Sequence, residues 1–153
     1  MLTYPYLKNH NVVIRRPEDK DADQFRFLFD RPMRKEQALQ MIHLFDGAYV
    51  QKKEMILTIA DADDNAVGTL EIYHLDQKDA ELGYRILPEK RHQGYASEAV
   101  CAFLAWTEGC QDFTAHTDQQ NLWSQKVLLK NGFCKIKEEN DICTFRYHHG
   151  GSK

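Results

Sequence analysis

The chain has 153 residues, 42% of them hydrophobic and 28% charged, with a formal net charge of −3 and a pI near 6.1. That length fits one domain able to bury about 68–70% of its unfolded surface. The acidic balance argues against a general nucleic-acid binder, whose affinity rests on neutralising phosphates, and mildly favours a cationic partner such as an amine.

No stretch reaches the roughly 18 consecutive apolar residues of a membrane-spanning helix. The start, Met1-Leu2-Thr3-Tyr4-Pro5-Tyr6, lacks the basic and apolar regions of a signal peptide. The cysteines are Cys101, Cys110, Cys134 and Cys143, with no C-x-x-C pair and no histidine at zinc spacing, so no metal site is expected. Cys101 falls in the apolar part of a helix. Cys134 and Cys143 lie on neighbouring strands, where a turn near Asn140 sets Cys134 opposite Arg146 and leaves the two thiols poorly placed to bridge. Free thiols in a reducing cytoplasm, away from any membrane, are the expectation.

In chain order, Val12 to Arg16 is a short apolar run closed by Pro17 and reads as the first strand. Glu18 and Asp19 favour a helix start, and Ala22, Phe25, Leu28 and Phe29 mark one helical face up to Asp30. Arg31-Pro32 breaks that helix. Ala38, Ile42, Phe45 and Tyr49 predict a second from about Arg34 to Gln51, with its aromatic residues in the core. Met55 to Ala60 and Ala66 to Tyr73 read as strands joined by the polar turn Asp61 to Asn65.

The stretch Asp79 to Glu98 carries the most information. Ala80, Leu82, Tyr84 and Ile86 alternate with Glu81, Gly83, Arg85 and Leu87, the period of a strand, until Pro88 ends the ladder. After the basic loop, Gly94 opens a segment in which Ala96, Ala99, Val100, Phe103 and Leu104 recur at helical spacing, with Gly109 suited to the position past its end. A helix start has unpaired N–H groups and the positive end of the macrodipole. With Gly94 letting the backbone come close and Arg91 adding charge, Arg91 to Ala96 is suited to an anion such as a pyrophosphate. Phe113 to Thr117 is a further strand, and Asn121 to Lys130 a helix closed by Asn131-Gly132. Phe133 to Glu138 and Ile142 to Tyr147 form a last hairpin. Residues 1–147 are read as a single domain, and 148–153 as a disordered tail. Strands and helices mixed in this order predict an α+β domain, with helices on both faces of a mixed sheet.

The motif Arg91-His92-Gln93-Gly94-Tyr95-Ala96 resembles the Q/R-x-x-G-x-G/A signature of the GNAT N-acetyltransferases, which bind the pyrophosphate of acetyl-coenzyme A. The wider string, from Ala80-Glu81-Leu82-Gly83-Tyr84 to Ser97-Glu98-Ala99, is similar to the RimJ/RimL-like branch that acetylates ribosomal-protein N-termini. A second family motif falls in order at Asn121 to Phe133. The resemblance covers almost the whole chain. It implies an α/β/α-layered GNAT fold with a mostly antiparallel sheet of about six or seven strands, and acetyl-CoA as cosubstrate. The implied reaction is direct transfer to a primary amine, of a protein N-terminus or a small molecule, with no nucleic-acid partner and a homodimer as a possible assembly. The segment Phe25 to Tyr49 would then border the acceptor.

Such a transfer needs the amine deprotonated, the thioester carbonyl polarised and the thiolate protonated, with no metal. Glu81 is the first candidate for the base, by analogy with a glutamate at the matching strand position; Glu71 is its substitute, and pairing with Arg85 is the plainer role for Glu81. The family often has a tyrosine where this chain has Leu128, so the general acid passes to Ser124, matching the RimL-like pattern. Asn121 is a helix cap that the resemblance also places on pantetheine. Ile86 and Leu87 should offer main-chain groups to the same arm where neighbouring strands splay. Arg91, His92, Gln93, Gly94, Tyr95 and Ala96 form the phosphate cradle. His43, His74 and His116 are read as structural or surface residues. A GNAT-fold module that binds coenzyme A as a sensor, without turnover, is the alternative function.

Overall fold

Seven of the strands lie where the apolar alternation puts them, and the computed structural model, which describes residues 4–107 and 111–149, adds one more. The strands are β1 (Leu7–Asn9), β2 (Val12–Arg15), β3 (Glu54–Ala60), β4 (Ala66–Tyr73), β5 (Asp79–Ile86), β6 (Asp112–Asp118), β7 (Cys134–Glu139) and β8 (Ile142–Tyr147). They form one sheet in the order β1-β2-β3-β4-β5-β6-β8-β7, antiparallel throughout except for the parallel pair β5–β6. The expected six or seven strands are therefore eight. The addition, β1, is three residues long and turns into β2 through His10, whose φ is +55°, so it has too few residues to show a period.

The helices are α1 (Ala22–Phe25), α2 (Lys35–Val50), α3 (Tyr95–Trp106) and α4 (Leu122–Lys130). On one face of the sheet, Leu70, Ile72, Leu82 and Ile86 pack with Ala99, Val100 and Phe103 of α3 and with Val127 and Leu128 of α4. The opposite face carries a smaller cluster of Ala22, Phe25, Ala38 and Ile42 from α1 and α2. Helices thus lie on both faces, as expected.

The first helix is much shorter than its apolar face predicts. α1 ends at Phe25, and the chain from Arg26 to Arg31 continues as turns. The cause is a local clamp: Met33 N–H donates to the Arg26 carbonyl at 2.9 Å, and Arg26 Nε donates to the Met33 carbonyl at 3.1 Å. Leu28 and Phe29 of that face are only half-buried in this loop, and Phe27, off the face, is 56% exposed. The segment is fixed at its start by a buried pair. Arg15 meets both carboxylate oxygens of Asp21, at 3.0 and 2.9 Å.

Cys134 pairs with Arg146 across the last hairpin, as the turn position required, and the described cysteines Cys101, Cys134 and Cys143 are free. Gly109 and Cys110 lie outside the described residues. His148 and His149, read as the start of a disordered tail, are instead both within hydrogen-bonding distance of Asp112, and the His149 N–H donates to it at 2.9 Å. Among the described residues no helix is long and apolar enough to cross a membrane.

Candidate active site

The sheet has one break. The parallel ladder of β5 and β6 holds only the pairs Asp79–Asp112, Ala80–Phe113 and Glu81–Thr114, although β5 runs on to Ile86 and β6 to Asp118. Each strand stays paired on its outer side, β5 with β4 as far as Ile86–Gly68 and β6 with β8 as far as Asp118–Ile142. The gap between them is the splay expected for this strand. At Gly68 a Cβ would lie 2.0 Å from the Arg85 carbonyl oxygen, so only glycine lets β4 follow β5 this closely.

A cavity of about 260 Å³ occupies the gap and is reached from both faces of the sheet. Glu71, Arg85 and His116 line it from the face of α1 and α2, and Tyr84, Thr117 and Ser124 from the face of α3 and α4. The Leu87 N–H donates to Val67 on β4, so alternation turns the main chain of Tyr84 and Ile86 toward the gap. Of the two residues expected to offer main-chain groups, Leu87 therefore has its N–H committed to the sheet. Ile86 faces the gap, but its carbonyl accepts from Arg91 Nε at 3.1 Å. Both side chains are buried in the core.

Next to the gap, Pro88–Lys90 forms a 3₁₀ turn and the chain enters α3 through His92 (φ +64°) and Gly94 (φ +90°). The left-handed Gly94 is the N-cap of α3, and the first helical bond runs from the Glu98 N–H to its carbonyl. The N–H groups ahead of Glu98 therefore lack helical partners and form an anion seat. Arg91 and His92 line both an open groove of about 720 Å³ and a recess of about 50 Å³ that reaches Gly94, Tyr95 and Ala96. Gln93 is exposed and donates to the Glu89 carbonyl at 3.2 Å. The His92 ring meets the Trp123 ring edge-on at 5.9 Å, which holds it beside the groove and away from Ser124.

The second motif behaves as a cap. Asn121 Oδ1 accepts the Ser124 N–H at 3.1 Å, and Asn121 also lines the open groove. Asn121→Ala is expected to lower the melting temperature by about 2–4 °C, and Asn121→Ser to retain it, because serine caps as well. Ser124 is buried, and its Oγ lies 2.9 Å from the Tyr84 hydroxyl, which is also 3.0 Å from the Ser124 carbonyl. Burial pushes the Tyr84 phenol up to about 12, so at neutral pH it is a protonated donor.

The two candidate bases are not equivalent. Glu81 lies at the paired end of β5, beside Tyr73 and Thr114, and lines a separate recess with Lys53, Glu54 and Asp76. It does not pair with Arg85. Glu71 lies on the cavity, buried at 4% exposure. Its Oε2 accepts from Thr69 Oγ1 at 2.7 Å and from Arg85 Nε at 2.8 Å, and its Oε1 accepts the Tyr73 hydroxyl. Burial and the Glu71 carboxylate together raise the Tyr73 phenol, keeping its proton on that bond. Arg85 continues outward to Asp30 at 3.5 Å and lies over the Phe29 ring at 4.8 Å, so the loop after α1 borders the site.

In the sequence Tyr84 is only one residue of the strand alternation, and its contact with Ser124 spans 40 residues of sequence. The signal for Glu71 was available: it is the lone carboxylate in the otherwise uncharged strand Ala66–Tyr73. Among the described residues no cluster of three or more metal-ligating side chains occurs.

The chain matches the acetyltransferase (GNAT) domain over residues 11–134. It is 29% identical to the uncharacterized N-acetyltransferase YoaA of Bacillus subtilis (strain 168), across 96% of this chain and 91% of that protein. Its fold is similar to that of RimL, a ribosomal α-N-protein acetyltransferase, with a TM-score of 0.78 and 13% identity over 95% of this chain and 94% of that one. A self immunity acetyltransferase, MccE, solved with acetyl-CoA and AMP, gives a TM-score of 0.75 and 16% identity over 91% and 93% of the two chains. With a family match across most of its length and a splayed sheet that ends at a left-handed glycine cradle, the chain belongs to the GNAT N-acetyltransferase family.

Proposed function

We propose that this chain transfers acetyl from acetyl-CoA directly to a primary amine in a ternary complex, in the manner of the RimJ/RimL-like enzymes. The amine is that of a protein N-terminus or of a small molecule. The GNAT family uses acetyl-CoA, and the residues present suit it. The unpartnered N–H groups at the start of α3, with Arg91 beside them, match a pyrophosphate, and the free edge of β5 matches the amide-bearing pantetheine arm. When bound, acetyl-CoA supplies an activated acyl thioester.

The chain's own groups divide the remaining work. Glu71 takes the proton of the incoming amine, through a water, on the face that the Phe27–Asp30 loop borders. Ser124, backed by the Tyr84 hydroxyl, offers a hydrogen bond at the other end of the cavity. Gln120, Asn121 and Trp123 form the wall of the groove between the cradle and that end. The supporting observation is that one cavity reaches a buried carboxylate on one face of the sheet and a hydroxyl pair on the other. Holding both reactants there in line provides proximity as well as proton transfer.

Thermal melting with acetyl-CoA, and with NAD and ATP as controls, tests the reading. At a hundredfold excess over Kd a specific ligand adds about 2.7 kcal/mol, which raises the midpoint by roughly 5–10 °C at this size. The rise should occur with acetyl-CoA alone and disappear in Arg91→Glu and Gly94→Glu variants. A screen of primary amines by thiol release then identifies the acceptor. No shift at saturating acetyl-CoA overturns the proposal.

A further inference from the structure

One residue lining the cavity between β5 and β6 carries a polar atom that the folded chain leaves without a partner. Thr117 is 7% exposed and lines the cavity with Ser124 and Tyr84, yet its Oγ1 is buried and makes no hydrogen bond. The other such side-chain atoms among the described residues, on Tyr49 and Glu98, lie outside this cavity.

Its neighbours cannot satisfy it. Alternation along β6 puts Thr117 with Phe113 and Ala115 on the α3–α4 face, the face of Ser124. Across the ladder it meets Cys143, whose thiol is directed to Glu138 at 3.7 Å. Thr144 is on the opposite face, bonded to His116 at 3.2 Å. Ser124 Oγ is engaged with Tyr84. A hydroxyl removed from water without a partner is destabilising, and valine has the same shape without that cost. Stability alone would favour valine here.

We propose that Thr117 is a second hydroxyl, beside Ser124, that hydrogen-bonds the sulfur of coenzyme A and stabilises the departing thiolate. The inference rests on the coenzyme A reading above. The hydroxyl keeps its own proton and forms no covalent bond; its donor strengthens as negative charge develops on sulfur. The amine is the less suitable ligand for it, because the carboxylate of Glu71 faces the cavity from the other side of the sheet.

The experiment compares wild type, Thr117→Val and Thr117→Ser by calorimetric titration with coenzyme A and with desulfo-coenzyme A, at about pH 8.5 where thiolate is populated. Free Thr117→Val should melt roughly 2–4 °C above wild type, because it removes an unsatisfied group. It should bind coenzyme A about five- to tenfold more weakly, with desulfo-coenzyme A unchanged, and Thr117→Ser should recover most of the loss. An equal loss with both ligands, no loss with either, or a lower melting temperature for Thr117→Val overturns the role. If wild type binds neither ligand, the coenzyme A reading itself fails, which is a separate and recognisable result.

Discussion

Glu71→Gln is expected to lower kcat/KM for the accepted amine by roughly 10²–10³-fold while leaving acetyl-CoA binding intact. Glutamine keeps the shape of the side chain and one acceptor oxygen, which can face Thr69 and Arg85 while its amide NH2 donates to the Tyr73 hydroxyl oxygen, but it cannot take a proton. The loss should fall on the acceptor reaction alone, since no residue of the cradle touches Glu71. Arg85 is 38% exposed and also reaches Asp30, so water and that carboxylate can serve its charge once Glu71 is neutral, and the variant should fold. Glu81→Gln, at the paired end of β5 and off the cavity, is expected to change the same parameter by no more than about twofold. Initial rates of thiol release across a pH series give both numbers. Should Glu81→Gln carry the loss and Glu71→Gln be silent, the base is Glu81 and the acceptor enters from the other recess.

Asp21→Ala should be the most destabilising single change available in the polar part of the molecule. Arg15 is 3% and Asp21 1% exposed, and the pair is bidentate. Asp21 also accepts from the Thr58 hydroxyl and the Glu18 N–H, both at 2.8 Å. Removing its carboxylate leaves a guanidinium in the interior, together with two orphaned donors. Arginine is protonated at every ordinary pH, so Arg15 cannot lose its charge to escape. Breaking such a pair costs about 3–5 kcal/mol, or roughly 10 °C in midpoint for this size. Asp64, 2.8 Å from Arg15 Nε, keeps the loss toward the lower end. Replacing both partners together, as Arg15→Met with Asp21→Leu, should recover most of it, because the buried charge is then gone and only the Thr58 and Glu18 donors stay unpaired. A loss below about 1 kcal/mol for Asp21→Ala would show the pair to be incidental. The effect also bears on function: the pair anchors the segment that brings Phe29 and Asp30 to the rim of the site.

Much of this was legible in the chain. Short apolar runs bounded by turns located β2 to β8, with period-2 alternation in β5, and turn chemistry set the last hairpin so that Cys134 faces Arg146, as the register shows. Gly94 before an apolar helical run marked the start of α3 and its unpaired N–H groups, which are a local property. Asn121 as a cap on Ser124 was local in the same way. What failed also has a physical reason. The apolar spacing Ala22, Phe25, Leu28 and Phe29 fits a helix, but the Arg26–Met33 clamp competes with it, and a bond between residues seven apart leaves no periodic trace. The β1 strand was too short to show a period at all.

The sequence by itself therefore determined the order of β2 to β8 and of the helices between them, the glycine at the start of α3 and the family to which the motifs belong. Only the tertiary structure decided which carboxylate lines the cavity between β5 and β6. Glu71 and Glu81 both point to the same face of adjacent strands, and their alternation is identical. The difference between them follows from where β5 and β6 part, after Glu81 and Thr114, while β5 stays paired with β4 and β6 with β8. The same parting opens a cavity lined by Tyr84, Thr117 and Ser124, residues of two strands and a helix that no spacing along the chain brings together.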